Sequence, residues 1–334
     1  MNRGSTPVPL VDGFGRVHSY LRIAVTDRCN LRCMYCMPAE GITPMPGGAL
    51  LTDEEILRIT GFLAARGVTR VRLTGGEPLA RRGLPALVAG LSAIPGITSL
   101  GLTTNGTLLS QHVTALRAAG LDRINISLDT LREERFARIT LRERYAGVRD
   151  GIERALAAGF ERVKINMVVM KGVNDDELCD FVEFARDRDL TVRFIEYMPF
   201  ASNGWHSADC MPFADMRARI TARYDIAPVA NAVPGDVAKE YTVAGMRGRI
   251  GFITSMSDHF CGSCNRLRLT ADGALKSCLF HPAEGDLRTL LRAGADDATL
   301  SARIDAALRQ KPWAHAEAEV LTERHDRSMI HIGG

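Results

Sequence analysis

No apolar run in the chain approaches the ~18 residues that span a membrane. Its first twenty residues, MNRGSTPVPLVDGFGRVHSY, contain no signal-peptide core. Aromatic residues are 6% of the 334, and 42 basic against 39 acidic side chains leave a net charge of only +3. A basic, aromatic-rich nucleic-acid surface is therefore not expected. Low-complexity segments are missing too, as is any repeat beyond alternating strands and helices. Eight cysteines in a chain this long do not make a small disulfide scaffold. These absences predict a cytoplasmic protein of a reducing compartment, with no membrane and no nucleic-acid partner. Clustered thiols in such a place are metal ligands before they are disulfides.

What is present is concentrated in one run, CNLRCMYC, with Cys29, Cys33 and Cys36 in Cys-x3-Cys-x2-Cys spacing. Three thiolates can hold three irons of a 4Fe–4S cube and leave the fourth iron open for substrate. A zinc site lacking its fourth ligand, or three free thiols, is the alternative. Tyr35, between the last two thiols, is no metal-ligand signal.

From Tyr20 to Met198, short β-rich runs alternate with helical stretches. The strand candidates are Tyr20 to Val25, Thr69 to Leu73, Ile97 to Leu102, Arg123 to Leu128, Arg162 to Val169 and Leu190 to Glu196. Between the first two, Thr52 and Glu55 form a capping box for a helix that Gly67 ends. Alternation of this kind indicates parallel βαβ units. The Cys loop, TGGEP (74–78), TTNG (103–106), SLDT (127–130) and EYMP (196–199) all follow strand ends. Barrel active sites are assembled at such ends. The expectation is an α/β fold, a partial (β/α)6 TIM-type barrel over 1–199, with a C-terminal iron–sulfur-binding extension over 200–334. The 46% hydrophobic content supports a core of that size. Helices are expected around Ala214 to Tyr224, Leu287 to Gly294 and Ala298 to Gln310.

A second cluster, Cys261, Cys264 and Cys278, has Cys-x2-Cys-x13-Cys spacing. Asp272-Gly273 reads as a hairpin turn that folds Cys278 back beside the pair. His259 or His281 could complete a structural zinc site here; a second iron–sulfur cluster with an open iron is the other reading. Arg266 and Arg268 alternate in RLRL and so share one strand face, either as an exposed polar surface or as a phosphate site. Cys179 fits the apolar side of a helix.

CNLRCMYC is the hallmark of the radical S-adenosylmethionine enzymes. With TGGEP, TTNG, FIEYMP, the second cluster and a terminal Gly-Gly, the chain from Leu21 to Gly334 resembles the GTP 3′,8-cyclases of molybdenum cofactor biosynthesis. The resemblance implies two 4Fe–4S clusters, on Cys29, Cys33 and Cys36 and on Cys261, Cys264 and Cys278. It implies S-adenosylmethionine contacts at Tyr35, Gly76, Ser127 and Met198, the glycine letting the backbone approach the ligand and offer amide donors. GTP contacts are implied at Arg22, Arg72, Thr103, Lys164, Arg266, Leu267 and Arg268. Arg22, Arg72 and Lys164 lie in strand candidates, where a charge is costly unless paired; a salt bridge to a neighbouring strand would also satisfy them.

The implied reaction makes a 5′-deoxyadenosyl radical, takes the hydrogen from C3′ of the ribose, and joins C3′ to C8 of guanine. The product is 3′,8-cyclo-7,8-dihydro-GTP, which makes the chain a lyase. An external electron donor and the next pathway enzyme, cyclic pyranopterin monophosphate synthase, are the implied partners, for a monomer or homodimer. Gly333 and Gly334, which position alone would make a frayed tail, are implied to reach into the active site. Ala24 stands where the family often has serine, and 229–246 carries no usable motif. A peptide-modifying radical enzyme would show more C-terminal cysteines, and a zinc-binding or nucleic-acid-binding protein would show more basic and aromatic surface.

Overall fold

The computed structural model describes residues 8–200, 203–230, 235–323 and 329–333. Six strands run in order across a parallel sheet: β1 (Tyr20–Ala24), β2 (Arg70–Thr74), β3 (Ser99–Thr104), β4 (Arg123–Ser127), β5 (Arg162–Val169) and β6 (Leu190–Glu196). Between them lie α1 (Asp53–Ala65), α2 (Leu84–Ser92), α3 (Leu109–Ala118), and α4 (Glu133–Thr140) with α5 (Tyr145–Ala157). A sixth helix, α6 (Leu178–Ala185), joins the last two strands. The sheet does not close, so the expected partial barrel is what forms.

Period-two alternation explains how this sheet is both a core and a cavity wall. Leu21, Ile23, Val71, Leu73, Ile124, Ile126 and Ile165 are buried in one continuous apolar core with residues of α1 to α6. The intervening residues Tyr20, Arg22, Arg70, Arg72, Asn125, Lys164 and Asn166 line a cavity on the opposite face. Parallel strands buried on both faces read as unbroken apolar runs. These do not, because only one face is dry.

Residues beyond 200 add strands to both edges of the same sheet. β7 (Ile226–Pro228), β8 (Ala238–Val243) and β9 (Arg249–Ile253) follow helix α7 (Phe213–Thr221), and β9 pairs in parallel with β6. At the other edge β10 (Arg266–Leu269) pairs in parallel with β1, and β11 (Ala274–Lys276) and β12 (Gly285–Asp286) extend it antiparallel. Helices α8 (Leu287–Arg292), α9 (Asp297–Arg309), α10 (Ala318–Thr322) and α11 (Met329–Ile332) complete the chain's described part.

Local chemistry sets the element ends. Thr52 accepts from the Glu55 amide at 3.2 Å and the Glu55 carboxylate accepts from the Thr52 amide at 2.9 Å, closing the expected box on α1. Gly67 leaves that helix at φ +99°, in the left-handed region that costs other residues energy. Asp272-Gly273 makes the expected turn between β10 and β11, with Gly273 at φ +83°. One expectation shifts: Thr103 and Thr104 end β3 instead of starting its loop, because Thr103 and Thr104 pair with Asn125 and Ile126.

Candidate active site

The cavity is bounded by the strand ends of the barrel and by the second cysteine segment. Cys29, Cys33, Cys36, Cys261, Cys264 and Cys278 all line it, as do Tyr35, Gly76, Ser127, Met198, Arg22, Arg72, Thr103, Lys164, Arg266 and Arg268. Residues as far apart in sequence as Arg22 and Cys278 thus meet on one surface. Leu267 does not: period two turns its side chain into the apolar core, fully buried, leaving only its backbone beside the two arginines. Gly334 lies outside the described residues.

Each loop at the first thiol triad has a packing reason for its residues. The Gly76 amide donates to the Thr26 carbonyl at 2.8 Å and the Glu77 amide to the Arg28 carbonyl at 2.7 Å. A Cβ on Gly75 would meet Thr26 O at 2.5 Å, and one on Gly76 would meet Arg28 O at 2.3 Å. The close approach these glycines permit is therefore to the chain leading into the cysteines. The Gly76 amide, expected as a ligand donor, is already used by that chain.

Glu77 is fully buried and accepts from Thr104 Oγ1 and the Asn105 amide, both at 2.7 Å. It thereby ties TGGEP to TTNG. Asn105 Nδ2 in turn stands 3.8 Å from Cys29 Sγ. On the far side Tyr35 donates to Asp129 Oδ2 at 2.8 Å, and the Val168 amide donates to Asp129 Oδ1 at 2.9 Å. Burial raises Asp129 to about 6.

Burial also pushes the thiols of Cys29 and Cys33 up and that of Cys36 to about 12, with neighbouring thiols and Asp129 adding to the rise for Cys33 and Cys36. Three unbridged thiols of this kind stay protonated until a cationic group draws the protons off. Among the described residues, no three His, Cys, Asp or Glu side chains gather tightly enough to hold a single metal ion. The thiols instead face shared open space, and three sulfur donors around such a space suit an iron–sulfur cube.

The second triad has a different electrostatic setting. Burial raises Cys264, but the charges of Lys311, Arg266 and Arg268 and the Arg266 amide outweigh it and hold the thiol below its ordinary range. Lys311 is buried, with Nζ 3.6 Å from Cys264 Sγ and 3.2 Å from the Arg266 carbonyl. Arg16 donates to the carbonyls of Cys261 at 2.7 Å and Trp313 at 2.8 Å, pinning the cysteine loop. Burial raises Cys261, so the cationic setting is that of Cys264; three thiols on shared open space again fit a cluster. His281, one proposed zinc ligand, instead faces Glu284 at 3.3 Å.

Between the triads the wall is cationic. In the sheet register Tyr20 stands between Arg266 and Arg70, and one layer along Arg22 stands between Arg268 and Arg72. Burial lowers Arg22 well below its ordinary value, and it lowers Arg268 to about 10, with neighbouring arginines adding to both. Arg72 Nε donates to Tyr20 Oη at 2.6 Å and Nη1 to the Leu102 carbonyl at 3.1 Å. Its guanidinium fills the space over Gly101, where a Cβ would come within 2.8 Å of it.

Opposite, Lys164 is lowered to about 8 by burial and the Arg193 charge, while pairing with Glu240 at 2.6 Å. The alternative of a cross-strand ion pair is thus realised for Lys164, though its partner lies on β8. Thr103 Oγ1 and Arg266 Nε are buried with no hydrogen-bond partner among the described residues. Such orphaned groups carry a desolvation cost that an anionic ligand would relieve.

The tail reaches a side chain of the cavity wall. Arg268 Nη1 donates to the Gly333 carbonyl at 3.0 Å, and Ile330 and Ile332 are buried. Gly333 has φ +74°, and a Cβ on it would meet Thr74 Oγ1 at 2.3 Å. A frayed end is therefore not what these residues form.

Several wall residues escaped sequence reasoning. Arg193, whose Nη2 donates to Asn166 Oδ1 at 2.6 Å, carries the same signal as Arg22: a charge inside an apolar strand. Tyr20 alternates with Arg22 and was visible by the same rule. Glu240 and Asp236 of the wall, and Lys311 behind Cys264, have no local signal at all.

The comparisons with known proteins agree with this geometry. The sequence profile of the Radical SAM superfamily matches residues 23–185, and that described as Molybdenum Cofactor Synthesis C matches 190–317. The chain is 46% identical to "GTP 3',8-cyclase, mitochondrial" of Arabidopsis thaliana, over 97% of this chain and 83% of that one. It is 45% identical to "GTP 3',8-cyclase" of Geobacter sulfurreducens, over 97% and 99%. The chain belongs to the GTP 3′,8-cyclase family.

It spans only 51–56% of the animal relatives named Molybdenum cofactor biosynthesis protein 1 in Drosophila, mouse, cattle and human. Among solved structures, Streptococcus suis SuiB aligns with a TM-score of 0.61 at 15% identity, over 95% of this chain and 76% of that one. That likeness is one of fold, the radical SAM partial barrel. No helix among the described residues is long and apolar enough to cross a membrane.

Proposed function

We propose that the chain is a radical S-adenosylmethionine lyase that converts GTP to 3′,8-cyclo-7,8-dihydro-GTP, the first step of molybdenum cofactor biosynthesis. The observation that carries this reading is one cavity with a thiol triad at each end and a cationic wall between them. Cys29, Cys33 and Cys36 would hold one 4Fe–4S cluster, and Cys261, Cys264 and Cys278 a second. With S-adenosylmethionine at the first open iron, that site supplies hydrogen-atom abstraction from a ribose carbon.

The protein's own share is binding, orientation and shielding. Tyr35, held by Asp129, with Gly76, Ser127 and Met198, frames the S-adenosylmethionine end. GTP carries about four negative charges, which call for several charge-assisted contacts. Arg22, Arg72, Lys164, Arg266 and Arg268, together with Arg193, supply these cations, and Thr103 Oγ1 supplies a free hydroxyl. The guanine end then faces the second triad. The dry apolar shell outside the sheet and the tail at Gly333 would keep water from the reacting carbon and fix the C3′ to C8 approach. An external electron donor, transfer of product to cyclic pyranopterin monophosphate synthase, and work in the cytoplasm as a monomer or homodimer complete the reading. We keep the division near residue 199 between the barrel part and the part that carries the second triad.

The deciding experiment is anaerobic incubation of iron-loaded protein with S-adenosylmethionine and dithionite, with and without GTP, following 5′-deoxyadenosine. A GTP-dependent rise together with a cyclised product is expected. Cleavage indifferent to GTP would reject the substrate, and no cleavage at all would reject the first cluster.

A further inference from the structure

The arginine layers contain one side chain able to become an anion. Tyr20 lies on β1 with Arg266 beside it on β10 and Arg70 beside it on β2. Its Oη accepts from Arg72 Nε at 2.6 Å, and the Arg70 guanidinium sits over its ring, 4.9 Å from the centroid. Six arginines act on it: the charges of Arg22 on its own strand, Arg72 on β2, Arg193 on β6, and Arg266 and Arg268 on β10, with Arg70 of β2 stacked on its ring. The carboxylate next to this group, Asp236, is engaged with Arg70 at 3.0 Å. Glu240 is engaged with Lys164.

Like charges packed into a buried wall repel one another, and in low dielectric the repulsion is large. Loss of the phenolic proton from Tyr20 is the local way to relieve it. We propose that Tyr20 is the built-in counter-anion of the polyphosphate wall: mostly phenolate in the free protein at mildly alkaline pH, it takes up a proton when a polyanionic ligand neutralises the arginines. The inference rests on the GTP reading above and adds to it that binding is proton-coupled.

The direction of the electrostatics agrees. Burial alone would push the phenol up, yet the charges of Arg72, Arg22 and Arg266 and the Arg72 hydrogen bond bring it down to about 7. At pH 8 such a group is about 90% ionised, and with its neighbours neutralised it returns toward the ordinary value near ~10. No covalent bond changes; one proton moves from solvent to Tyr20 Oη.

Calorimetry of GTP binding in buffers of different protonation enthalpy tests this. It uses iron-loaded protein without S-adenosylmethionine or reductant, so that no turnover occurs. Tyr20→Phe keeps the ring under Arg70 and removes the titrating oxygen. Lys164, which is lowered to about 8, takes up protons and the γ-phosphate can only release them on meeting the cations; both contribute in both proteins, so the difference between them is the signal.

At pH 8 wild type should take up more protons per GTP than Tyr20→Phe, by on the order of one. At pH 6 the difference should vanish. Equal uptake by both proteins at pH 8 overturns the proposal. If wild type binds no GTP, the function proposed above fails instead. The same pair of titrations with inorganic tripolyphosphate then decides the role of Tyr20 by the same difference.

Discussion

Arg268 on β10 holds the carbonyl of Gly333, the two residues 65 positions apart in sequence and 3.0 Å apart in space. That bond joins the strand beside the second thiol triad to the C-terminal tail. It also sets a backbone carbonyl against a guanidinium that lines the cavity, one of those proposed above to meet the phosphates.

Gly333→Ala should therefore separate tail from chemistry. A side chain at φ +74° costs about 1 kcal/mol or more, and its Cβ would stand 2.3 Å from Thr74 Oγ1 and 2.9 Å from Ala24 Cβ. We expect product formation to fall at least ~5-fold, one decade per 1.4 kcal/mol, with iron content unchanged. Full activity would show that Gly333 needs no place in the pocket.

Gly101→Ala attacks the Arg72 seat. The added methyl would lie 2.8 Å from the guanidinium that Tyr20 and Leu102 hold in place. Overpacking of this kind costs about 1–3 kcal/mol. The dissociation constant for GTP, measured by equilibrium dialysis, should rise about 5- to 150-fold. An unchanged constant would mean that Arg72 does not meet the ligand from this position.

Cys264→Ser should remove the second cluster and spare the first. Iron analysis of reconstituted protein is expected to fall from about eight to about four atoms per chain. The low-temperature electron paramagnetic resonance signal of the reduced first cluster should persist. Retention of about eight irons would exclude Cys264 as a ligand.

His18 gives a pH-dependent share of stability. It is fully buried, with Nε2 3.1 Å from Asp12 Oδ2, and burial with the Lys311 charge lowers it from 6.5 to about 4. The unfolded chain binds the proton first as pH falls, so His18's contribution is complete above 6.5 and lost by about pH 4. The loss is about 3 kcal/mol, from roughly 2.5 units at 1.36 kcal/mol each. Denaturant unfolding at pH 7 and pH 4 should show that much less acid sensitivity in His18→Gln. Parallel pH curves for the two proteins would contradict it.

Most of the barrel was legible because its signals are local. Alternation of apolar and polar residues in YLRIA and RVRLT, the box at Thr52 and Glu55, and the turn at Asp272-Gly273 involve neighbours a few residues apart. Arg22, Arg72 and Lys164 came with the resemblance, and a charge inside a strand agrees with a place on the cavity wall; the same pattern in LTVRFIE points to Arg193. The glycines of TGGEP were legible as a site of close approach but not as to what approaches. The partner is the chain at Thr26 and Arg28.

Leu267 shows the limit of carrying a family's contact segment residue by residue. Its neighbours on both sides enter the cavity while its own side chain joins the core.

The sequence by itself determined which chemistry is available: six thiols in two spacings, a period-two cationic face, and a terminal glycine pair. Those are properties of short segments, fixed by bond geometry and by the pitch of a strand. Only the tertiary structure decided that Lys311 lies behind Cys264, that Glu240 meets Lys164, and that Arg268 reaches Gly333. It also lowers the Tyr20 phenol against its burial, through the charges of Arg72 on β2 and Arg266 on β10 together with Arg22 on its own strand. A Coulomb interaction depends on separation in space and on burial, and a linear sequence specifies neither for residues hundreds of positions apart.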